Sequence, residues 1–249
     1  MTGTTPPGTS PPGSGTEQAA AQWVREMFGR VAPRYDLLNH LLSFNLDKRW
    51  RARLAASVAP VLARPEARVL DLCCGTGDVL RELVSRGDRI NRSRGFAMGA
   101  DFCHPMLMAA RRKVSAPVFE ADALILPLRR DSLDLVTMAF GFRNLANYER
   151  GLEELLRILK PGGMAAILEF SQPANRPFAA LYDFFSKHVL PRVGGFVSGS
   201  PEAYSYLPES IRKFPGAEEL AVRLRGAGFT RVEFERLTGG LVALHRAWR

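Results

Sequence analysis

An acidic residue followed by closely spaced glycines is the stretch of this sequence best suited to chemistry. Residues 68–78 read RVLDLCCGTGD, and an apolar helical pattern follows them. The apolar run predicts a buried strand, and the glycines predict a tight turn into a helix. Gly75 and Gly77 carry no Cβ, so the backbone there can bend sharply and approach a bound molecule closely. Asp71 falls near the carboxyl end of the strand, the edge at which open α/β sheets bind ligands.

The spacing within this turn distinguishes two kinds of nucleotide site. A dinucleotide fingerprint needs a third glycine, and Leu80 occupies that position. The spacing Cys73-x-Gly75-x-Gly77 instead resembles the first motif of class I S-adenosylmethionine methyltransferases, D-x-G-x-G-x-G. Cys73 replaces the first glycine, which indicates a backbone conformation that is not restricted to glycine. An ordinary strand–turn–helix without a ligand is the alternative.

Two further predicted strands are followed by acidic residues. Asp101 ends the strand predicted over residues 96–100, where a carboxylate can accept hydrogen bonds from both hydroxyls of a ribose. Asp101 is equally a good N-cap for the helix predicted over residues 105–113, and the two roles are compatible. The class I resemblance places Asp122 and Ala123 against an adenine ring. The alternative for Asp122 is an ordinary loop carboxylate.

Alternating strand and helix patterns organise the rest of the chain. Strands are predicted over residues 68–72, 96–100, 117–120, 133–140, 164–170, 230–237 and 241–247. Such alternation implies a parallel sheet with helices packed on it, an α/β fold. The sequence Thr238-Gly239-Gly240 predicts a hairpin and therefore an antiparallel strand at the C-terminal end. We expect one class I methyltransferase (Rossmann-like) domain over residues 21–249.

Composition excludes several other classes of protein. The chain has 249 residues, of which 46% are hydrophobic, as in soluble globular domains. Residues 1–20 are rich in Pro, Gly, Ser and Thr and lack an apolar segment, so they predict a disordered tail rather than a signal peptide. No apolar run approaches a membrane span in length. Three cysteines, with no Cys/His cluster at metal-ligand spacing, predict reduced thiols, no metal and a cytoplasmic location.

The formal net charge of +9 raises the question of an acidic partner. The basic residues are scattered, without a long basic tract or interleaved aromatic residues, which argues against nucleic acid. Two interpretations stay open. One is a solubilising surface, and the other is peripheral contact with anionic lipid at the inner face of the membrane.

Five longer sequence segments indicate which methyltransferase family the chain resembles. They are YDLLNHLLSFNLDKRW at 35–50, AFGFRNL at 139–145, RILKPGGMAAILEFS at 157–171, YLPESIRKFP at 206–215 and LTGGLVALHR at 237–246. Together and in this order they resemble the bacterial demethylmenaquinone/ubiquinone C-methyltransferase family, from about residue 17 to the C-terminus. Leu38 and Asp47 stand where the family often has Met and His. Ala139 stands where some members have a Ser near the cofactor.

The resemblance implies methyl transfer from S-adenosylmethionine to a ring carbon of a demethylated quinol. Demethylmenaquinol is the first expectation, and the ubiquinone-pathway precursor, or both, is the second. The sulfonium donor is already activated, so the reaction needs no metal, and loss of a phenolic proton makes the ring carbon nucleophilic. The resemblance places cofactor contacts at Asp71, Gly75, Thr76, Gly77, Asp101, Asp122, Ala123 and Ala139.

Arg143, Asn144 and Tyr35 are the candidates for work on the substrate. A guanidinium only donates hydrogen bonds, so Arg143 would stabilise a phenolate or polarise a water rather than serve readily as the base. A structural ion pair is its alternative. Asn144 would hold the second ring oxygen. Tyr35 would face the ligand from a helical lid over residues 21–62, with ordinary helix packing as its alternative.

The insertion over residues 172–213 predicts a substrate cap. Its apolar residues recur at helical spacing and exceed what one core-facing stripe needs. They indicate either core packing or a groove for a polyprenyl tail, and a lipid-tailed substrate would bring the protein to a membrane. A homodimer, methylation of another small molecule, and a cofactor-binding module that binds RNA stay open as alternatives.

Overall fold

A seven-stranded sheet forms the centre of the molecule. The computed structural model describes residues 8–90, 96–173 and 201–249. The strands are β1 (Arg68–Leu72), β2 (Phe96–Asp101), β3 (Val118–Glu120), β4 (Leu133–Ala139), β5 (Leu159–Phe170), β6 (Arg231–Leu237) and β7 (Val242–Trp248). Their order is β3-β2-β1-β4-β5-β7-β6, with β1 to β5 paired in parallel and β7 antiparallel to both its neighbours. The predicted α/β fold with an antiparallel C-terminal hairpin is confirmed.

Helices precede the sheet and connect its strands. They are α1 (Glu17–Val31), α2 (Tyr35–Leu42), α3 (Leu46–Ser57), α4 (Ala59–Leu62), α5 (Asp78–Ile90), α6 (His104–Lys113), α7 (Tyr148–Ile158), α8 (Pro201–Lys213) and α9 (Ala217–Gly226). None of these helices, in the ranges that the structure describes, has the length and hydropathy of a membrane span.

Two apolar cores hold the sheet from its opposite faces. Side chains alternate across a strand, so neighbouring residues enter different cores. Leu70 and Val136 pack with residues of α7 and α9, whereas Val69 and Leu135 pack with residues of α3, α4 and α5. None of the four is more than 2% exposed. The carboxyl ends of β1 and β4 are thereby fixed side by side.

The start of β5 differs from its predicted position. The strand begins at Leu159 rather than at Met164, because Leu133 pairs with Leu159 ahead of a shift in register. The turn at residues 161–163 is therefore an irregularity inside the strand. Glycine spacing alone could not distinguish such a bulge from a loop.

The segment before α1 belongs to the folded domain. Thr9 is 4% exposed, and its backbone N–H donates to the carbonyl of Leu145 at 2.8 Å. Helix α1 starts at Glu17 because the side chain of Thr16 accepts a hydrogen bond from the backbone N–H of Ala19. The expectation of a disordered tail therefore does not hold for residues 8–20. Residues 1–7 lie outside the described residues.

The predicted lid over residues 21–62 divides into two parts. In α1 and the turn after it, Val31 and Ala32 pack with Cys103 and Met106 of the neighbouring α6 region, next to Tyr35. Helices α3 and α4 instead belong to a core of the sheet, where Leu54 and Ala55 of α3 and Val58 between the two helices are fully buried. Within residues 21–62, α1 and the start of α2 pack outside the two sheet cores, so the lid stays a prediction for this part alone.

Most of the predicted cap, residues 174–200, lies outside the described residues. The end of the predicted insertion is helix α8. Its Tyr206 is buried against Val24 and Met27 of α1. This contact joins the end of the insertion to the helices before the sheet.

Candidate cofactor and substrate site

A pocket lies where β1, β2 and β4 end. Its empty space, open mouth included, is about 710 Å³. The structure brings these predicted residues together in its wall: Tyr35, Gly75, Asp101, Asp122, Ala123, Ala139 and Asn144. Strands β1, β2 and β4, the loops after β1 to β4, and parts of α1, α2 and α6 supply the wall, so the sheet topology assembles residues that are far apart in sequence.

The turn after β1 has three residues in the left-handed backbone region. These are Cys73 (φ +54°), Gly75 (φ +54°) and Gly77 (φ +84°). A non-glycine residue occupies this region at a cost of about 1–2 kcal/mol, which explains why a glycine is the usual first residue of the motif. A Cβ at Gly75 would stand in the pocket, 3.9 Å from the ring of Tyr35. The missing side chain leaves room for a ligand over the turn.

Gly141 brings two loops of the pocket into close contact. An added Cβ would lie 2.4 Å from the Cβ of Cys73, closer than real Cβ atoms come. We expect Gly141→Ala to lower the free energy of unfolding by about 1–3 kcal/mol and to weaken cofactor binding, because one loop must move. Urea unfolding followed by tryptophan fluorescence measures the first effect.

Gly226 provides the matched control for this substitution. An added Cβ there meets no other atom within 4 Å, and the residue ends helix α9. Gly226→Ala should leave stability unchanged or slightly raised, since alanine is the better helix former. Equal unfolding midpoints for Gly141→Ala and Gly226→Ala would contradict the steric argument.

Asp101 presents a buried carboxylate to the pocket. Oδ2 accepts a hydrogen bond from the backbone N–H of Gly75 at 2.9 Å, and Oδ1 accepts one from that of Cys103 at 2.9 Å. The predicted N-cap role is not what the structure shows, because Cys103 is the N-cap residue of α6. Each carboxylate oxygen keeps further acceptor capacity for a hydroxyl. Burial raises the pKa of Asp101 to about 6.

The raised pKa of Asp101 gives cofactor binding a pH dependence. Ribose hydroxyls donate hydrogen bonds, so they favour the ionised carboxylate over the protonated one. We expect the affinity for S-adenosylhomocysteine to fall as the pH drops through about 6, approaching tenfold per pH unit below it. Calorimetric titration between pH 5 and about 8 measures how this affinity depends on pH. The variant Asp101→Asn should give a flatter profile of affinity against pH. An equally steep profile in that variant would assign the proton elsewhere.

Three predicted cofactor residues do not line the pocket. Asp71 is 1% exposed and accepts a hydrogen bond from the hydroxyl of Thr137 at 2.7 Å, and burial raises its pKa to about 7. Thr76 is buried too, and its hydroxyl donates to Asp36 at 2.5 Å. A Cβ on Gly77 would lie 3.2 Å from that of Ala110, so this glycine admits α6. These contacts fix the turn to β4, α2 and α6 from outside the pocket.

A polar latch ties α2 to the glycine turn. It consists of Asp36, Thr76 and Lys113, since the carboxylate of Asp36 also accepts from the ammonium of Lys113. Lys113 contacts Asp78 as well, at 3.1 Å. The latch holds the adjacent Tyr35 above Gly75. Burial raises the pKa of Tyr35, so at neutral pH its hydroxyl is a hydrogen-bond donor rather than a base.

Arg143 lies behind the pocket wall. It is 5% exposed and is not among the lining residues. Its guanidinium donates to Glu169 Oε1 at 2.9 Å and to the carbonyl of Phe140 at 2.6 Å. The Nδ2 of Asn144 donates to the same carbonyl at 3.3 Å. This is the structural ion pair named as the alternative, and it fixes the loop that carries Asn144.

Tyr206 contacts a residue of the pocket wall, and the sequence did not predict this contact. Its hydroxyl donates to Oδ1 of Asn144 at 2.9 Å and accepts from the hydroxyl of Thr9 at 2.7 Å. The only sequence signal was the position of Tyr206 at the start of YLPESIRKFP, which carried family resemblance but no stated role. Thr9 gave no signal, because it lies in a segment whose composition predicts disorder.

All three cysteines are free thiols. Burial raises the pKa of Cys73 and of Cys74 well above the ordinary value, and it raises that of Cys103 to about 11. The neutral thiol therefore predominates at physiological pH. Cys73 and Cys74 take up space in the turn rather than supply a nucleophile.

The residues of this pocket fit S-adenosylmethionine. Asp101 offers two anchored acceptors, and the turn at Gly75 leaves open space beside it. A sheet of this order, with a glycine turn after β1 and a buried acid ending β2, defines a class I methyltransferase. A crystal structure from Thermotoga maritima, titled a SAM-dependent methyltransferase and possible histamine N-methyltransferase, shares this fold. It has a TM-score of 0.60 at 20% identity and covers 90% of this chain and 98% of that one.

Sequence similarity assigns the chain to a narrower group of proteins than the fold does. The chain belongs to the ubiE/COQ5 methyltransferase family, which it matches over residues 16–249. The demethylmenaquinone methyltransferase of Deinococcus radiodurans is 44% identical over 238 residues, 94% of this chain and 95% of that protein. The enzyme of the same name from Thermus thermophilus is 46% identical over 224 residues, 88% and 98% of the two chains. The predicted family, the methyltransferase class and the methyl donor S-adenosylmethionine are confirmed.

Proposed function

We propose that this enzyme transfers a methyl group from S-adenosylmethionine to a ring carbon of demethylmenaquinol and so produces menaquinol. The observation that carries the proposal is the similarity of nearly the whole chain to two demethylmenaquinone methyltransferases. The methyl donor supplies an activated methyl on a sulfonium. The protein must hold the ring and favour loss of a phenolic proton, which titrates near 10 by analogy with tyrosine.

Asn144 is the residue that we assign to the quinol ring. Its Oδ1 is occupied by Tyr206, and one N–H of its amide points to the carbonyl of Phe140. An amide nitrogen has two N–H groups, so one is left to donate to a ring oxygen. Such a hydrogen bond stabilises the phenolate as the proton leaves. Tyr35, which also lines the wall, is the second donor in this proposal.

Arg143 acts in this proposal as a positioning residue. It holds Phe140 and Glu169, and the carbonyl of Phe140 in turn orients the amide of Asn144. The cofactor roles follow the pocket wall: Asp101 receives the ribose hydroxyls, and Asp122 with Ala123 borders the adenine. The backbone N–H of Leu124 fixes the carboxylate of Asp122 at 2.9 Å. Ala139 borders the cofactor without a side-chain hydrogen bond.

A lipid-tailed substrate also sets the place of the reaction. A polyprenyl tail keeps the quinol in a bilayer, so the enzyme must meet the membrane surface or extract the quinol from it. The net charge of +9 favours an anionic surface. We therefore propose transient peripheral contact during turnover.

Methyl transfer from labelled S-adenosylmethionine tests the function. Demethylmenaquinol and the demethylated ubiquinol precursor are offered in parallel, and mass analysis locates the new methyl on the ring. A ring-carbon methyl on demethylmenaquinol supports the proposal, and transfer to the second quinol widens it. Transfer to neither by a protein that still binds S-adenosylhomocysteine would refute the quinol assignment and leave the enzyme class intact.

A further inference from the structure

The direction in which Asn144 can donate depends on how its side-chain amide is turned. The carbonyl of Phe140 can only accept, so it selects the orientation in which Nδ2 of Asn144 faces it. That hydrogen bond is 3.3 Å long, and the same carbonyl already accepts from the guanidinium of Arg143 at 2.6 Å. A bond of the greater length is weak. By itself it holds the amide loosely.

Two hydroxyl groups hold the other end of this amide. The hydroxyl of Tyr206 donates to Oδ1 of Asn144 at 2.9 Å, and burial raises the pKa of Tyr206, so the hydroxyl keeps its proton at neutral pH. A hydroxyl has one proton to give, so Tyr206 accepts from its other neighbour, the hydroxyl of Thr9, at 2.7 Å. We call Thr9, Tyr206 and Asn144, joined by these two bonds, the amide tether.

Both hydroxyl-bearing residues of the amide tether are fixed in place. Tyr206 is 5% exposed, and its ring packs against that of Trp23 with centroids 5.0 Å apart. The backbone N–H of Thr9 donates to the carbonyl of Leu145 at 2.8 Å. Leu145 follows Asn144 in the chain, so Thr9 holds two adjacent residues of the same loop. The tether is therefore formed before a substrate enters and needs no reorganisation during the reaction.

Gly8 allows the segment before α1 to lie this close to the pocket loop. An added Cβ at Gly8 would overlap the carbonyl of Leu145. The hydroxyls of Thr9 and Tyr206 lie in the interior, where apolar groups of the same shape could replace a hydrogen-bonded pair at little cost in stability. Stability alone does not account for them. Their position against a side chain of the pocket wall does.

We propose that Thr9 and Tyr206 are positioning residues for methyl transfer, which hold the amide of Asn144 ready to donate to a ring oxygen of the quinol. The inference deepens the proposed function and rests on it for the identity of the substrate. The orientation of the amide requires no substrate. It can therefore be measured separately from methyl transfer.

Nuclear magnetic resonance of the Asn144 amide tests the tether in the full chain without quinol. The variant Asn144→Asp identifies the two Nδ2–H signals by their loss. In Tyr206→Phe and in Thr9→Val these signals should move, and their protons should exchange with water about tenfold faster. Thr9→Ser keeps the hydroxyl and should retain the original signals. The control Ser210→Ala removes a buried hydroxyl of α8 that donates to the carbonyl of Leu207, and it should change neither property.

Kinetics with demethylmenaquinol tests the consequence for the reaction. In Tyr206→Phe and Thr9→Val, kcat should fall about tenfold while KM for S-adenosylmethionine stays unchanged. The pH at which kcat reaches half its maximum should rise, because the phenolate loses a stabilising donor. Thr9→Ser should restore both kcat and the pH profile. A purely structural role would lower the midpoint of urea unfolding without moving the pH profile.

Three results would overturn the proposal. They are Asn144 signals in Tyr206→Phe that match those of the unmodified protein, an unchanged kcat, and a Thr9→Ser variant that behaves like Thr9→Val. If Tyr206→Phe does not fold, which its affinity for S-adenosylhomocysteine reports, the Thr9 variants decide. Absence of methyl transfer to demethylmenaquinol by the unmodified protein would instead refute the proposed function, while altered Asn144 signals in the variants would still support the tether.

Discussion

Replacing Asp101 by alanine is expected to weaken the binding of S-adenosylhomocysteine by at least about 100-fold, because two hydrogen bonds to a charged acceptor contribute roughly 1.5–3 kcal/mol each. The loss is twofold in origin. The ribose loses its acceptors, and the backbone N–H groups of Gly75 and Cys103 lose the carboxylate that fixes the turn. Isothermal titration calorimetry at neutral pH measures the affinity.

Asp101→Asn separates these two contributions. The amide keeps one acceptor oxygen and nearly the same shape, so part of the anchoring of the turn survives while the charge is lost. Its affinity should lie between those of the alanine variant and the unmodified enzyme. Asp88→Asn, at an exposed position on α5, removes one negative charge elsewhere and should bind normally. Unchanged affinity in Asp101→Ala would remove this residue from the cofactor site.

Replacing Arg143 by methionine is expected to lower the free energy of unfolding by about 3–5 kcal/mol, because it leaves a buried carboxylate without its cation. Glu169 is 1% exposed and, among the described residues, would keep as donors the backbone N–H groups of Arg143 and Phe170. The methionine side chain retains much of the apolar bulk of the arginine stem, so the lost charge dominates the change. Urea unfolding measures the effect.

The double variant Arg143→Met, Glu169→Gln is the control for this prediction. It removes both charges, and replacing a whole buried pair by neutral groups typically recovers much of the stability. If the single variant unfolded at the same urea concentration as the unmodified protein, Glu169 would not depend on Arg143. The double variant also tests the positioning role: kcat should fall through the lost orientation of Asn144, while the affinity for S-adenosylhomocysteine should be retained.

The fold and the pocket wall were predictable because both depend on local patterns. The strand before Gly75 and the strand ending at Asp101 each show in a short apolar run, and parallel topology then brings their carboxyl ends together. Asp71, by contrast, is near a strand end in the sequence but beneath the turn in space. There its carboxylate accepts a hydrogen bond from Thr137, a tertiary contact that the local sequence pattern does not show.

Long-range contacts account for the features that the sequence did not predict. Thr9 and Tyr206 are 197 residues apart and are joined by one hydrogen bond. Neither the composition nor the periodicity of the sequence around them predicts this contact. The tail prediction failed for residues 8–20 because composition averages over a segment, whereas a single buried threonine and a capping Thr16 order it. Arg143 carries a similar lesson. Its motif identified an important loop, and burial beside Glu169 determines what the guanidinium does there.

The neutral thiols of the glycine turn allow access to the pocket to be followed by chemical labelling. Alkylating reagents attack the thiolate, and burial keeps Cys73 and Cys74 as neutral thiols while the turn is closed. Labelling of the native enzyme should therefore be slow. A cofactor bound over Cys73, which lines the pocket, should slow it further. The labelling half-time with and without S-adenosylhomocysteine then measures access to the pocket without an added fluorophore.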